Sequence, residues 1–104
     1  MQSYTKVYYK AFGYVETEYV PCEVCEGEST EIHHILGRSG DLLNDIENLM
    51  GICRTCHNEY GQIKETTAML LQIHKRRLQI AKIPFNNKWF EFYINKYENL
   101  EKDG

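Results

Sequence analysis

The sequence lacks any long apolar run. Although 42% of its 104 residues are hydrophobic, no stretch approaches the roughly 18 consecutive apolar residues of a membrane-spanning helix. The segment from Met1 to Lys6 also lacks the apolar core of a secretory signal peptide. We therefore expect a soluble protein with no membrane partner, located in the cytoplasm.

Repeats, low-complexity segments and linker-like stretches are also missing, and there are two prolines, Pro21 and Pro84. A chain of 104 residues without an internal boundary is expected to fold as one domain. Chains of this size bury a smaller share of their surface than larger domains do, and bound metals or disulfides often supply the missing stability. A stabilising metal or disulfide is therefore expected.

Basic residues are scarce in the first half of the chain. Residues 1–51 contain three basic and nine acidic side chains, whereas residues 52–104 contain nine basic and six acidic ones. A nucleic-acid-binding protein needs a basic face, not a basic total. Charge alone favours a solvated helix surface, and both interpretations stay open. The basic residues that could form a DNA-binding face are Arg54, Lys64, Lys75, Arg76, Arg77, Lys82 and Lys88.

The four cysteines form two close pairs, Cys22-x2-Cys25 and Cys53-x2-Cys56, separated by 27 residues. In a reducing compartment such pairs favour a metal over disulfides, and four thiolates in a tetrahedron are a common structural zinc site. Redox chemistry and disulfides remain the alternatives. The gap is longer than in common zinc ribbons, which indicates that it contains something besides a turn.

The gap contains two adjacent histidines, His33 and His34, and His57 follows directly after Cys56. A zinc ion at the second cysteine pair would fix the backbone of His57, as a preorganised site requires. A regular strand would send His33 and His34 to opposite faces, so both can serve one site only at a strand end or bend, which Gly37 makes plausible. Ordinary core or surface histidines remain the alternative.

Local patterns predict an α+β protein. We expect a helix or turn over 4–12, a strand from Thr30 to Leu36 and a loop from Arg38 to Asp41. A second extended or turn region follows from Leu42 to Asn48. On the strand, Glu31 is expected to face solvent, with an orienting contact to His33 as the alternative.

The second half of the chain is predicted to be helical. A long helix is expected from an N-cap at Asn58 to a stop at Pro84, with His74 at its surface or facing DNA. Asn86 or Asn87 is expected to cap a last helix. The apolar side of that helix, which we expect to form core or a homodimer seam, consists of Trp89, Phe90, Tyr93, Ile94, Tyr97 and Leu100.

The cysteine pairs and the enclosed residues together resemble the HNH endonucleases. The motifs that carry the resemblance are Cys22-Glu23-Val24-Cys25, His33-His34-Ile35, Asn48-Leu49 and Cys53-Arg54-Thr55-Cys56-His57. The resemblance covers about residues 20–61 and is closest to phage-encoded or mobile-element members, including those similar to recombination endonuclease VII. It implies a zinc-stapled ββα-metal core at about 20–61 and a helical extension over about 62–104, within one domain over 1–104.

The resemblance also implies residue roles. His34 takes the position of the general base, and Asn48 is the middle residue of the motif, which holds the loop that carries the base. His33 and His57 take the positions of ligands to a catalytic Mg2+ or Mn2+, and the four cysteines those of ligands to a structural zinc. Many members have a further His or Asn where this chain has Gly61. The candidates for DNA contacts are Arg38, Arg54, Lys75, Arg76 and Arg77.

Two functions follow from these observations. The first is a metal-dependent DNA endonuclease that hydrolyses phosphodiester bonds with a histidine general base. The second is a catalytically degenerate, zinc-stapled module that binds DNA or a partner, for which Gly61 is the best support. The presence of His33, His34, Asn48 and His57 together favours the first, since a zinc-stapled binding module does not need them.

Overall fold

The structure is a computed structural model that describes residues 1–16 and 18–103, of which 100–103 are described by their backbone alone. The helices are α1 (Ser3–Phe12), α2 (Arg54–Cys56), α3 (Thr67–Ile80) and α4 (Asn87–Asp103). The strands are β1 (Glu31–His34) and β2 (Leu49–Ile52). Short 3-10 turns cover Gly40–Leu43, Ile46–Asn48 and Lys64–Thr66, and a π-helical turn covers His57–Gly61.

The two strands pair in antiparallel register, with Glu31 opposite Ile52 and His34 opposite Leu49. β1 lies within the strand predicted from Thr30 to Leu36. β2, which the sequence analysis did not predict, is buried along its whole length, and a fully buried strand does not show the polar–apolar alternation by which strands are recognised. The sheet followed by α2 gives the α+β arrangement expected of a ββα-metal core.

The main core lies between the sheet and the two long helices. Phe90 of α4 is fully buried with Leu71 and Leu78 of α3, and Met50 and Ile52 of β2 belong to the same cluster. Full burial of one such side chain is worth about 1.5–3 kcal/mol, so α3 and α4 contribute directly to the stability of the sheet.

The apolar side of α4 packs within the chain. Trp89, Tyr93 and Tyr97 lie against the core as partly buried side chains, which confirms the core prediction for this side of the helix. The side chain of Leu100 lies outside the described part of the chain. Asn86 caps the helix, because its Oδ1 accepts a hydrogen bond from the N–H of Trp89 at 3.1 Å.

Helix α1 packs on the other side of β2. Tyr8 is 1% exposed and forms a second cluster with Val20 and Leu49. The helix ends at Gly13, whose φ of 77° is in the left-handed region that glycine adopts without strain. The helix predicted over 4–12 is therefore present.

The single long helix predicted from Asn58 to Pro84 is wrong. Helix α2 begins at Arg54, with the Cys53 sulfur accepting a hydrogen bond from the N–H of Cys56 at 3.4 Å. The helix is interrupted before α3, where the Thr66 hydroxyl donates to the carbonyl of Tyr60 at 2.6 Å. Such side-chain bonds offer the backbone an alternative to regular helix. Helix α3 also ends before Pro84, at Ile80.

The prediction that His74 lies at the surface is also wrong, because this side chain is fully buried. Its Nδ1 lies 2.7 Å from the Glu23 carboxylate and its Nε2 lies 2.6 Å from the carbonyl oxygen of Ile46. The prediction was wrong because the three basic residues that follow His74 in sequence are typical of an exposed helix surface. Within the described residues, no helix has the length and apolar character that crossing a membrane would require.

Candidate functional site

The four cysteine side chains converge on one point. Their sulfur atoms all lie within 4.8 Å of one another, and the sulfurs of Cys25 and Cys53 are 3.7 Å apart. A tetrahedron with zinc–sulfur bonds of about 2.3 Å has sulfur–sulfur edges of about 3.8 Å. All four cysteines lie in the described part of the chain and are unbridged. This cluster could bind a metal ion and is consistent with a structural zinc.

The surroundings of Cys22 and Cys56 shift the pKa values of their thiols in opposite directions. Burial opposes ionisation of Cys22, but nearby backbone amides outweigh it and lower the pKa to about 7. Burial raises the pKa of Cys56, and the neighbouring thiols raise it further. Thiolates are the form that binds metals, and a divalent cation in the cluster would favour the thiolate form of both side chains.

His33 of β1 and His57 of the π-helical turn lie side by side, as the family resemblance requires of two ligands. Their ring centroids are 4.9 Å apart at an angle of 70°. Burial lowers the pKa of His33 to about 4, and the nearby His57 and His34 rings contribute to the decrease. His33 is therefore neutral at pH 7, which is the form of imidazole that binds metals.

Gly61 lies directly against both of these rings. A Cβ atom built on Gly61 would come within 2.7 Å of Cδ2 of His57 and 3.3 Å of Cε1 of His33. Real Cβ atoms do not approach as closely as 2.7 Å, and 3.3 Å is a tight contact, so the two rings fill most of the space for a side chain at this position. Gly61 is thus part of the site, although it offers no ligand atom.

Three buried polar atoms beside this pair have no hydrogen-bond partner among the described residues. They are Nε2 of His33 and two atoms that face each other at 3.3 Å without hydrogen-bond geometry, Nδ1 of His57 and Oε1 of Glu31. Buried polar atoms are normally paired, and a cluster of unpaired ones is typical of a site that binds an ion. Imidazole nitrogens and a carboxylate oxygen suit a divalent ion, so the residues fit the catalytic metal that the resemblance implies.

Glu31 was predicted to face solvent, but its side chain is half-buried and contacts two other side chains. Its Oε1 lies 3.3 Å from Nδ1 of His57, and its Oε2 lies 3.6 Å from the Arg54 guanidinium. The alternative prediction of an orienting contact to His33 names the wrong histidine. Glu31 and His33 are two residues apart on β1 and therefore share a face, which is the sequence signal that placed Glu31 near the site.

His34 lies at the end of β1 and is 7% exposed. Its Nε2 lies 3.0 Å from the carbonyl oxygen of Leu43, and because a carbonyl accepts, this nitrogen carries the hydrogen. Nδ1 therefore has a free lone pair, and no hydrogen-bond partner for it occurs within the described part of the chain. Burial lowers the pKa of His34, the bond to Leu43 raises it, and the Arg38 charge lowers it.

Asn48 is fully buried and holds the loop that follows β1. Its Oδ1 accepts from the N–H of Leu36 at 2.7 Å, and its Nδ2 donates to the carbonyls of Gly37 and Leu42 at 2.8 Å each. Leu42 directly precedes Leu43, the acceptor for His34. Asn48 thus sets the loop geometry that fixes the His34 ring.

Sequence reasoning missed Tyr4 of α1. The Tyr4 ring lies 4.5 Å from the His34 ring, centroid to centroid, at an angle of 81°. The guanidinium carbon of Arg38 lies 5.2 Å from the Tyr4 centroid. The available signal was the four-residue spacing of Tyr4 and Tyr8, which puts both on one helix face.

The candidate DNA-contact residues differ in how they are used. Arg38 and Arg76 are exposed, and Lys75 is half-buried. Arg54 is paired with Glu31 but remains 69% exposed. Arg77 contacts the first cysteine knuckle, donating to the carbonyl of Glu23 and pairing with Glu26 at 3.1 Å. Arg38 lies closest to His34, and Arg77 is occupied mainly by contacts within the chain.

The comparison with protein families gives one finding. The model described as HNH endonuclease matches residues 22–62, a segment that contains the four cysteines, His33, His34, Asn48 and His57. No curated protein and no solved structure matches the chain. Helix α1, with Tyr4, lies outside the matched segment, as do α3 and α4.

Proposed function

We propose that the chain is a metal-dependent DNA endonuclease, of phage or mobile-element origin, that hydrolyses phosphodiester bonds with His34 as general base. The observation that carries the proposal is the free Nδ1 of His34, in the residue that directly follows His33, whose ring is paired with that of His57. The match of residues 22–62 to the HNH endonuclease family supports the same class of reaction.

His34 removes a proton from the attacking water through Nδ1. The bond from Nε2 to Leu43 fixes the tautomer that leaves Nδ1 unprotonated. The lowered pKa of His34, caused mainly by burial, keeps the ring neutral at pH 7, and a histidine base works near its own pKa. Asn48 contributes by holding the loop that carries Leu43.

His33 and His57 are the proposed ligands of the catalytic ion, Mg2+ or Mn2+, with Glu31 beside them. Such an ion, when bound, neutralises charge on the scissile phosphate and on the departing oxygen. One of the two histidine ligands, His57, directly follows Cys56, so a zinc ion in the cysteine cluster would fix its backbone. The structural zinc would thus take no part in the chemistry but would help to position this ligand.

DNA is the proposed partner, and exposed cations near the site supply phosphate contacts. Arg38 lies on the loop after β1, and Arg54 begins α2. Arginine binds phosphate through two parallel N–H donors. Lys75 and Arg76 of α3 could extend this surface. The chain's acidic total is compatible with this arrangement, because affinity depends on the local face that meets the phosphates.

Gly61 favours the alternative of a degenerate DNA- or partner-binding module, because the position offers no ligand and has no room for one. The free Nδ1 of His34 favours the nuclease, since a binding module has no use for it. Buried orphaned nitrogens on three histidines are costly, and an ion and a water molecule would satisfy them.

A plasmid-nicking assay with Mg2+ or Mn2+ tests the proposal. The zinc-loaded wild-type chain should convert supercoiled plasmid to the open circle, and DNA ligase should reseal the product because it carries a 5′-phosphate and a 3′-OH. His34→Ala should lose at least about 100-fold in rate, the typical contribution of a general base. Gln79→Ala, a change at an exposed position on α3 that is given no DNA contact, is the control and should cut at close to the wild-type rate.

Equal inactivity of the wild type and His34→Ala with every divalent ion, in samples with full zinc content, would contradict the nuclease proposal. Retention of DNA binding by those samples would then favour the degenerate module. An active His34→Ala variant would assign the base to another residue.

A further inference from the structure

Tyr4 contacts His34 although it lies outside the segment that matches the HNH family. The edge-to-face contact of 4.5 Å is a favourable geometry for two aromatic rings. The bond to Leu43 fixes one ring nitrogen of His34, but the torsion that turns an imidazole ring is broad. A second contact on the ring is needed to hold its plane, and Tyr4 provides it.

The position of Tyr4 is itself fixed by its neighbours on α1. One turn later, the buried Tyr8 hydroxyl donates to the Glu23 carboxylate at 2.7 Å. At the start of the helix, the Ser3 hydroxyl donates to Oδ1 of Asn44 at 3.0 Å. These bonds join α1 to the first cysteine knuckle and to the loop between the strands. The Tyr4 ring is therefore presented to His34 by a helix that is anchored on both sides of this residue, at Ser3 and at Tyr8.

The other neighbour of Tyr4 is Arg38. The guanidinium lies over the ring at 5.2 Å from its centroid, within the distance of a cation–π interaction. Stacking of this kind restricts a long, exposed side chain. The Tyr4 ring thus touches both the proposed general base and the cation nearest to it.

We propose that Tyr4 is a positioning residue for His34 and Arg38, so that the N-terminal helix completes the active site. This inference rests on the proposed nuclease function for its kinetic consequence but not for its structural one. The aromatic ring carries the role, because the contacts to His34 and Arg38 are contacts to the ring.

Three variants of the zinc-loaded full chain separate this role from the general effect of replacing a tyrosine side chain on α1. Tyr4→Leu removes the ring, Tyr4→Phe keeps it, and Tyr9→Leu makes the same change on α1 at a ring that contacts Tyr14. In the plasmid assay, Tyr4→Leu should lower kcat by about 10- to 100-fold, as small misplacements of catalytic groups do. KM should rise by less than kcat falls, because Arg38 loses a restraint but keeps its charge. Tyr4→Phe and Tyr9→Leu should retain the wild-type kcat.

Nitrogen-15 NMR of the imidazoles gives a readout that needs no activity. In the zinc-loaded wild type and in Tyr4→Phe, His34 should show a single tautomer with the hydrogen on Nε2. Tyr4→Leu should show a mixture of tautomers at His34, and Tyr9→Leu should match the wild type. If Tyr4→Leu fails to retain zinc, Tyr4→Met takes its place, since methionine is a strong helix former of similar length.

Several outcomes would overturn the inference. One is a rise in KM with unchanged kcat, which would make Tyr4 a base-stacking contact to DNA. Another is equal behaviour of Tyr4→Leu and Tyr9→Leu in both measurements. If no variant and no wild-type sample cuts DNA but the tautomers change as expected, the positioning of His34 by Tyr4 stands and the nuclease proposal fails.

Discussion

Oε1 of Glu23 lies 2.7 Å from Nδ1 of His74, and both side chains are almost completely buried. The other ring nitrogen of His74 lies 2.6 Å from the carbonyl of Ile46. Because both partners are acceptors, both nitrogens donate and the ring is a cation. Glu23 lies within the first cysteine pair and also accepts from Tyr8 and from the N–H of Gly51. This pair therefore joins α1, the knuckle, β2 and α3.

Removal of one partner of this pair should strongly destabilise the protein. We expect Glu23→Gln or His74→Gln to lower the free energy of unfolding by about 3–5 kcal/mol, because each leaves a buried group without its charged partner. Urea denaturation of the zinc-loaded chain measures the change. Gln72→Ala is the control: it lies on the same helix as His74, breaks an exposed bond to Glu98 of α4, and should cost less than about 1 kcal/mol. A loss below 1 kcal/mol for both core variants would show that the pair is not charged.

The same pair should make stability depend on pH. Burial lowers the pKa of His74, but the Glu23 carboxylate and the Ile46 carbonyl outweigh it and raise the pKa above the ordinary 6.5. A histidine with a raised pKa in the folded state stabilises the fold fully below pH 6.5, and the stabilisation is lost as pH rises through the folded value. The urea midpoint of the wild type, relative to that of His74→Gln, should therefore decrease above pH 6.5. A relative midpoint that increases over this range would contradict the raised pKa.

The cysteine cluster should be required for zinc binding and folding, whereas His34 should be required for neither. Cys53→Ser, or a strong chelator, should remove zinc and unfold the chain, because metal binding and folding of a small site are coupled. His34→Ala should keep both zinc and fold, since it leaves the sulfurs unchanged. Circular dichroism during a zinc titration measures both properties. An unfolded His34→Ala protein, or a folded Cys53→Ser protein without zinc, would contradict this division.

More of the candidate site than of the fold could be predicted from the sequence. The spacing of the cysteines was enough to predict the cluster, because two Cys-x2-Cys pairs in one chain are typical of a metal site. Resemblance led to His33 and His57, which the structure brings together although they are 24 positions apart. The contact of Glu31 with His57 was not predictable, because strand pattern assigns a face but does not identify the neighbour across it.

The missed features share a physical cause. Tyr4 and His74 owe their environments to long-range packing. The spacing of Tyr4 and Tyr8 assigns them to one helix face, but a single sequence does not identify what packs against that face. His74 is followed by Lys75, Arg76 and Arg77, and this run indicates a surface position although the histidine faces the core. The break between α2 and α3 was missed because the apolar spacing continues across it, while the Thr66 bonds that interrupt the helix depend on the folded backbone.

Gly61 provides the sharpest test of the paired histidines. We expect Gly61→Ala to reduce or abolish divalent-ion binding, because its Cβ would lie 2.7 Å from the His57 ring and 3.3 Å from the His33 ring and must push them apart. Gly27→Ala is the matched control, since its Cβ would meet the Cys25 sulfur at an ordinary 3.4 Å. Calorimetric titration of the zinc-loaded proteins with Mn2+ compares the affinities. Wild-type Mn2+ affinity in Gly61→Ala, together with lost affinity in His33→Ala, would mean that the rings tolerate displacement and that ligand identity matters more than their close approach. Lost affinity in Gly61→Ala with full zinc content would show instead that the glycine keeps the space in which the two rings meet.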